Sequence, residues 1–319
     1  MHHRRLAARS VLGTAIAVLL AAGAAPTLVM YGQPDAPNER ATQLVSLLDA
    51  DKAVFGGFVN FAGVGNAPMD AMTHSRDRTI DLVMYDLEHS PFNVSQLQTY
   101  MQFLLDPGAI AAAGEVKAIK TIIARIPAYG RELASNTWMV KNVLDAGVHG
   151  VVFPHIETAE QALTAVRAMR YPQKPGARDF EPDGIRGSGA SVAARYWGLS
   201  VPDYMEQSDI WRLDPNGNLV PWFIIENTLG VTNVREIARA LNVRNIGAVL
   251  WAGTGDLNAS YHNDQAAVAT AVDAILAAGK EFGLPVAMNG TADLTHRMEQ
   301  GARIFMGGAS AAARREAGR

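Results

Sequence analysis

The sequence contains no cysteine among its 319 residues. A disulfide framework, thiolate metal sites and cysteine nucleophiles are therefore excluded. Any metal must be held by oxygen or imidazole ligands, and any covalent chemistry must use another side chain. An excess of basic charge is also missing, because 28 Lys and Arg stand against 31 Asp and Glu. Nucleic-acid-binding proteins normally carry a basic face, so no nucleic-acid partner is expected.

Disorder and repetitive architectures do not fit the composition either. Hydrophobic residues make up 49% of the chain and charged residues only 18%, a balance that allows a full buried core. The length allows one large domain or two ordinary ones.

A hydrophobic run long enough to span a membrane is missing as well, because the apolar stretch Val11–Ala25 falls short of about 20 residues. A basic start with Arg4 and Arg5 precedes it, and Ala22–Ala24 offers a small-residue cleavage site. We predict a signal peptide over residues 1–25 and an exported, periplasmic or secreted protein without stable membrane association. A retained anchor and twin-arginine export are the alternatives. Cleavage removes three arginines and no acid, so the net charge changes from −3 to −6 (25 minus 31).

Short apolar runs alternate with helical patterns through the rest of the chain. Residues 26–52 are predicted to form a Pro-rich linker and an N-terminal amphipathic helix. Asn93 with Gln96, and Thr158 with Gln161, have the spacing of helix capping boxes. The eight predicted strands are Ala53–Phe58, Leu82–Tyr85, Thr121–Ile126, Gly150–Phe153, Phe223–Ile225, Ile246–Trp251, Pro285–Met288 and Arg303–Met306.

Strands that alternate with helices predict a parallel sheet. Eight units in residues 53–319 fit a single-domain (β/α)8 TIM barrel, whose typical size is about 250 residues. An open doubly wound sheet is the alternative, although no G-x-G-x-x-G follows the first strand. Two irregular stretches, Tyr171–Arg195 and Asp209–Val220, either cover the active site or merely connect elements.

Polar residues follow several of these strands at their C-terminal ends, where a barrel places its active site. They are Asp86, Glu88 and His89 after the second strand, Arg125 at the end of the third, Glu226 after the fifth and Asp256 after the sixth. We expect these side chains to converge on one rim. His155 follows the fourth strand and reaches the same rim, with either a substrate contact or a hydrogen-bonding role. His149 precedes that strand and is expected at the opposite face.

Carboxylates on neighbouring strands, Glu226 and Asp256, offer oxygen ligands to a hard divalent cation. A 2-oxo acid could chelate that cation through its carboxylate and carbonyl oxygens. Polarisation of the carbonyl acidifies the adjacent C–H or weakens a C–C bond, and Arg125 could stabilise the enolate oxygen that forms.

His89 is the candidate for proton transfer, with Asp86 or Glu88 fixing its tautomer. No lysine ends a strand, because Lys117 and Lys120 precede the third one. A Schiff-base aldolase is therefore disfavoured.

Several motifs occur together in a defined order. They are Asp86-Leu87-Glu88-His89, Ala124-Arg125, the Pro154 loop, Gly184-Ile185-Arg186-Gly187-Ser188-Gly189, Ile225-Glu226 and Gly255-Asp256-Leu257. With these motifs the sequence resembles, from about Phe55 to Gly308, the HpcH/HpaI aldolase/citrate lyase family. Its class II 2-oxo acid aldolases are typified by 4-hydroxy-2-oxoheptanedioate aldolase.

The resemblance implies a TIM barrel of the phosphoenolpyruvate/pyruvate-binding type with Mg²⁺, Mn²⁺ or Co²⁺ as cofactor. It implies an aldolase, a carbon-carbon lyase that makes or breaks a bond between pyruvate and an aldehyde. A homo-oligomer, trimer or hexamer, is implied as well. The residues that match the family's site are Glu226 and Asp256 for the metal, His89 with Asp86 for acid/base catalysis, Arg125 for the pyruvate oxygen, and the backbone of Gly253, Thr254 and Gly255 for the substrate carboxylate.

The sequence departs from the family pattern at three points. Ile224 stands where many members have a glutamine that helps to hold pyruvate, and Gly253-Thr254-Gly255 replaces the usual Gly-Pro. The third departure is the predicted export. A related lyase, an oxaloacetate decarboxylase and a non-catalytic exported oxo-acid-binding barrel remain as alternatives, although a pure binder has no need of a proton-transfer histidine such as His89.

Overall fold

A computed structural model describes residues 40–59, 67–116, 120–177 and 179–319. The predicted signal peptide, residues 1–25, lies outside the described residues, as does the first half of the predicted linker. No helix in the described part of the chain is both long enough and apolar enough to cross a lipid bilayer.

Eight parallel strands in these described ranges close into a barrel, in which each strand pairs with the next and the last pairs with the first. The strands are β1 Val54–Val59, β2 Leu82–Asp86, β3 Thr121–Arg125, β4 Gly150–Phe153, β5 Val220–Ile225, β6 Val249–Ala252, β7 Val286–Asn289 and β8 Ala302–Met306. The (β/α)8 TIM barrel is therefore confirmed, and the pairing of β1 with β8 excludes an open sheet. Two boundaries differ by three residues, since β5 begins earlier than expected and β6 begins later, and the other boundaries agree to within one residue.

Helices flank the strands within the described residues. They are α1 Gln43–Asp49, α2 Ala67–Arg76, α3 Val94–Leu104, α4 Pro107–Ala113, α5 Thr137–Ala146, α6 Ala159–Met169, α7 Ser191–Trp197, α8 Val201–Gln207, α9 Thr228–Asn242, α10 Thr254–Ser260, α11 Gln265–Glu281, α12 Leu294–Gln300 and α13 Ala311–Glu316. The Asn93 side chain accepts the backbone N–H of Gln96 at 3.0 Å, and the Thr158 hydroxyl accepts the backbone N–H of Gln161 at 3.2 Å. Both predicted caps are confirmed.

The strands divide their side chains between two apolar layers, because successive residues point to opposite faces. On β5, Trp222 and Ile224 belong to the cluster that fills the barrel, whereas Phe223 and Ile225 pack in the cluster beneath the helices. Trp211 and Trp222 are fully buried, so these large aromatics serve the core. The barrel interior below the rim is therefore packed with apolar side chains.

Helix α1 closes the N-terminal end of the barrel. Its apolar face, formed by Leu44, Val45 and Leu48, joins the interior cluster. The Leu44 N–H donates to the Thr121 hydroxyl at 3.2 Å, which ties α1 to the start of β3.

The two irregular stretches lie at this closed end and not over the rim. Asp209 pairs with Arg170, which follows α6, at 2.6 Å, and the Trp211 indole donates to Asp49 of α1 at 2.8 Å. Arg186 in the first stretch is buried and donates to the Tyr204 hydroxyl at 3.0 Å. Of the two alternatives for Tyr171–Arg195 and Asp209–Val220, the structure therefore supports connection and not a cover of the active site. Both stretches connect α6 to β5, and a chain that enters a strand does so at its N-terminal end.

His149 lies at the closed end of the barrel, as predicted. It is fully buried, its Nδ1 accepts the Ile122 N–H at 3.1 Å, and its ring stacks on Trp197 with 5.0 Å between centroids. Burial lowers the pKa of His149 from 6.5 to about 4. The ring is therefore neutral in the folded protein at neutral pH.

This buried histidine makes the stability of the fold depend on pH. The unfolded chain binds the His149 proton more readily than the folded chain, so the free energy of unfolding should fall as pH drops from about 6.5 to about 4. The loss should reach roughly 3 kcal/mol at the lower limit. Urea unfolding at pH 7.0, 5.5 and 4.5 measures it. His149→Gln keeps an acceptor but does not titrate, and it should show a shallower slope. Equal slopes would contradict this assignment.

Candidate active site

The predicted site residues meet at the C-terminal rim of the barrel. Asp86 and Arg125 are the last residues of β2 and β3 and stand opposite each other in the strand register. Glu226 comes directly after β5, and Asp256 lies in the first turn of α10, after β6. The structure therefore brings these four side chains to one rim, where parallel strands of a barrel end.

Arg125 is held in place by two carboxylates. Its Nε donates to Asp86 Oδ1 at 2.9 Å, its Nη2 also bonds Asp86, and its Nη1 lies 3.0 Å from Glu88 Oε2. The guanidinium is planar and carries five N–H groups, so these contacts engage three of them and leave two. Arg125 is thus fixed in orientation and can still donate to an anionic ligand.

Asp86 and His89 are adjacent but do not form the expected side-chain pair. Asp86 Oδ1 accepts the backbone N–H groups of Glu88 at 2.9 Å and His89 at 3.4 Å. The His89 imidazole lies 3.7 Å from Glu88 Oε2 and is 64% exposed. Burial raises the pKa of Glu88, and the charge of Arg125 opposes that rise. The structure therefore pairs the imidazole with Glu88, the second option from the sequence, while Asp86 orients Arg125.

Glu226 is a buried carboxyl in an acidic environment. Only 3% of it is exposed, and its Oε1 accepts the His155 N–H at 2.7 Å. Burial raises the pKa of Glu226 to about 8, and the negative charges of Asp256 and Glu88 add to the effect. Asp256 also forms a side-chain hydrogen bond to it. Since Arg125 is paired elsewhere, a bound cation is what would favour the ionised form of Glu226.

Three side chains on this rim could hold a metal ion together. His155, Glu226 and Asp256 each offer a ligand atom, and these atoms lie within 4.8 Å of one another. The donor set fits a divalent cation, since two carboxylates match hard ions and an imidazole suits transition metals. His155 was predicted from the sequence to lie on the rim, but not to be a possible metal ligand.

An apolar floor lies beneath these groups. Ile224 and Trp251 are register partners on β5 and β6, and the Trp251 ring stacks on Phe58 of β1 with 6.1 Å between centroids. All of this surface belongs to or packs against the interior cluster. A ligand held at the rim therefore meets charged groups at its sides and apolar groups below.

Gly253 lets the backbone before α10 approach Glu226 closely. A Cβ atom at this position would lie 2.6 Å from Glu226 Cβ, 2.7 Å from Ile224 Cγ2 and 2.8 Å from Glu226 Oε2. Such distances are shorter than packed atoms adopt, so a side chain would displace the Glu226 carboxylate.

A matched pair of glycine variants tests this contact. If Glu226 and Asp256 hold a cation, Gly253→Ala should weaken binding of Mn²⁺ by at least about tenfold, because it moves the Glu226 carboxylate away from Asp256. Gly255→Ala places its new methyl where nothing lies within 4 Å, so its Mn²⁺ affinity should stay within about threefold of the wild type. Titration calorimetry measures both. Equal affinities in the two variants would contradict the placement of Gly253 against Glu226.

A closed eight-stranded barrel with an arginine and paired acids at its C-terminal rim defines a class of enzyme scaffold that binds small anionic substrates. The chain belongs to the HpcH/HpaI aldolase/citrate lyase family, whose model matches residues 64–316. The resemblance seen in the sequence is thereby confirmed.

Known relatives agree with this membership. A hydroxypyruvate/pyruvate aldolase from Paraburkholderia phytofirmans is 31% identical over 76% of this chain and 82% of the relative. A 5-keto-4-deoxy-D-glucarate aldolase from Escherichia fergusonii is 33% identical over 70% of this chain and 74% of the relative. The crystal structure of a family protein from Burkholderia cenocepacia matches with a TM-score of 0.63 and 28% identity, over 83% of this chain and 91% of that one.

Proposed function

We propose that the protein is a divalent-metal-dependent aldolase that cleaves or forms a 4-hydroxy-2-oxo acid from pyruvate and an aldehyde. The observation that carries the proposal is the arrangement of Glu226 and Asp256 beside a pre-oriented Arg125 on one rim. Relatives that share about a third of the sequence are aldolases of hydroxypyruvate, pyruvate and 5-keto-4-deoxy-D-glucarate.

Glu226 and Asp256 are the residues that would hold the cation, Mg²⁺, Mn²⁺ or Co²⁺. When bound, the cation polarises the carbonyl of the 2-oxo acid. The backbone after Gly253 supports binding of the substrate carboxylate, because Thr254 and Gly255 begin α10, and the first turn of a helix leaves N–H groups without intrahelical partners.

Arg125 supplies the positive charge for the oxygen at which negative charge develops. Asp86 and Glu88 hold the guanidinium at the rim, so the remaining N–H groups are oriented before the substrate arrives. A donor that is oriented in advance stabilises developing charge without the cost of reorganisation.

His89 is the proposed acid/base group. Its exposed imidazole can reach a substrate at the rim, and its Nε2 lies 3.7 Å from the Glu88 carboxylate. In this assignment Glu88 has the role that the family resemblance implies for Asp86, and Asp86 acts through Arg125.

Exchange of the methyl protons of pyruvate tests the proposal directly. In D₂O with Mn²⁺ or Mg²⁺, the purified protein should exchange these protons, and proton NMR measures the loss of the methyl signal. EDTA should stop the exchange, and added metal should restore it. An aldehyde panel then identifies the aldol reaction.

Other outcomes separate the alternatives. Binding of pyruvate without exchange would indicate a non-catalytic barrel. Exchange and decarboxylation of oxaloacetate without product from any aldehyde would indicate a decarboxylase. Exchange that survives EDTA in full would refute metal dependence.

Export is a separate proposal that rests on residues 1–25 alone. When the full-length chain is produced in a Gram-negative host, it should be recovered from the periplasm or medium, and its N-terminal sequence should begin near residue 26. Recovery of uncleaved protein in the membrane fraction would favour the retained anchor.

Self-association is likewise a proposal. The family resemblance implies a trimer or hexamer, and Phe103 and Trp138 expose large apolar surfaces on the single chain. Light scattering on the purified protein measures the assembly, and a mass equal to one chain would contradict it.

A further inference from the structure

His155 holds an unusual backbone conformation beside Glu226. It follows β4, and its φ of 48° lies in the left-handed region that few residues other than glycine and asparagine adopt readily. In this conformation its N–H points at Glu226 Oε1, 2.7 Å away. The backbone therefore turns the whole residue toward the carboxylate that we assign to the cation.

The imidazole of His155 faces the same carboxylate as its backbone. Nε2 lies 3.7 Å from Glu226 Oε1, and the side chain is only 16% exposed. The Tyr129 ring packs against it at 4.2 Å between centroids and restricts its movement. The His155 side chain therefore faces the interior of the site and is largely shielded from solvent.

The spacing fits two ligands of one cation. At metal–ligand distances of roughly 2.1 Å, two ligands lie about 3.0 Å apart when adjacent and about 4.2 Å apart when opposite. The 3.7 Å between Nε2 and Oε1 falls inside that range. The ligand atoms of His155, Glu226 and Asp256 lie within 4.8 Å of one another. Asp256 is exposed in the first turn of α10, so a shift of its carboxylate by under about 1 Å would bring all three atoms within reach of one cation.

A neighbouring amide does not fix the ring in the wrong tautomer. Ligation through Nε2 requires the proton on Nδ1. Asn227 Nδ2 lies 3.5 Å from Nδ1, which is at the limit of a hydrogen bond, and donates to Glu157 Oε1 at the shorter distance of 3.1 Å. The contact to His155 can therefore be given up at little cost.

We propose that His155 Nε2 is a third protein ligand of the divalent cation, beside Glu226 and Asp256. The inference rests on the proposed function, because it concerns the cation that this function requires. An imidazole ligand favours Co²⁺ and Mn²⁺ over Mg²⁺, which prefers an all-oxygen shell. The site should therefore select transition metals more strongly than two carboxylates alone.

Pulsed electron paramagnetic resonance on the Mn²⁺-loaded protein tests the nitrogen ligand without an activity assay. The wild type should show modulation from a coordinated imidazole ¹⁴N. His155→Asn should lose it, since asparagine tolerates the left-handed backbone but its shorter side chain carries no imidazole. His89→Ala is the matched control and should keep the modulation, because that ring pairs with Glu88. An oxygen-only spectrum from the wild type would overturn the proposal even if the variant failed to fold.

Titration calorimetry supplies the second readout. His155→Asn should weaken Co²⁺ binding by at least about tenfold and leave Mg²⁺ binding within about threefold of wild type. Equal losses for both ions would overturn the proposal. If the wild type binds Mn²⁺ and Glu226→Gln abolishes binding, but no nitrogen is seen, the proposed metal centre stands and only the His155 ligand fails. If the wild type binds none of these ions, both fail.

Discussion

Glu226→Gln is expected to lower the rate of pyruvate proton exchange by at least about a thousandfold, equal to roughly 4 kcal/mol of transition-state stabilisation. The substitution keeps the shape of the side chain and its bond to the His155 N–H. It removes the negative charge that, in the proposed function, holds the cation together with Asp256. The loss should therefore appear both in kcat and in Mn²⁺ affinity, measured by NMR exchange and by calorimetry.

The control for this variant is a second acid at the closed end of the barrel. Asp214 lies near Asp179 and Asp209, and burial raises its pKa as burial raises that of Glu226. Asp214→Asn should keep the exchange rate within about threefold of the wild type, because this group lies away from the rim. Undiminished exchange in Glu226→Gln would refute the assignment of Glu226 to the metal.

Arg125→Lys is expected to lower kcat by about a hundredfold to a thousandfold, while Mn²⁺ affinity stays within about threefold. Lysine keeps the positive charge but has no planar fork. It cannot bridge Asp86 and Glu88 and still present oriented donors to a substrate. Steady-state kinetics with a saturating aldol substrate, together with calorimetry, separates this effect from loss of the cation.

Arg131 offers a matched control for Arg125. It lies on the same rim, 59% of its side chain is exposed, and its nearest acid is Glu157 at 3.4 Å. Arg131→Lys should change kcat by less than about threefold. A similar loss in both variants would indicate that general positive charge at the rim matters, and not the oriented guanidinium of Arg125.

The barrel could be predicted from the sequence because its strands are buried on both faces. Such strands appear as uninterrupted apolar runs, and a polar residue at the end of each run marks the rim. Asp86, Arg125 and Glu226 were found in this way. The start of β5 was missed because Pro221 interrupts the apolar pattern, although its side chain is buried in the strand.

The order of the elements decides between the two roles that the sequence left open for the irregular stretches. Tyr171–Arg195 and Asp209–Val220 have the composition of functional loops, but they follow helix α6 and lead into β5. Loops that lead into a strand lie at the N-terminal face of the barrel. Residues at this face contribute to stability and not to catalysis. The order of the elements, and not the glycine and proline content, determines on which face of the barrel these stretches lie.

The contact between His155 and Glu226 could not be read from the sequence. It depends on one backbone torsion, the left-handed φ of His155, which directs both the N–H and the ring toward β5. Likewise, the choice between Asp86 and Glu88 as partner of His89 depends on how Arg125 is held. The sequence identifies which groups reach the rim, whereas torsions and ion pairs decide which of them touch.

Helix α1 has a consequence for the order of events in the proposed reaction. In the part of the chain that the structure describes, it fills the N-terminal end of the barrel, so the candidate cation site and the apolar floor are approached from the rim. In the proposed reaction, a 2-oxo acid at that site would lie deepest, and an aldehyde would bind above it. We therefore expect a compulsory order of binding and release, with the oxo acid first to enter and last to leave.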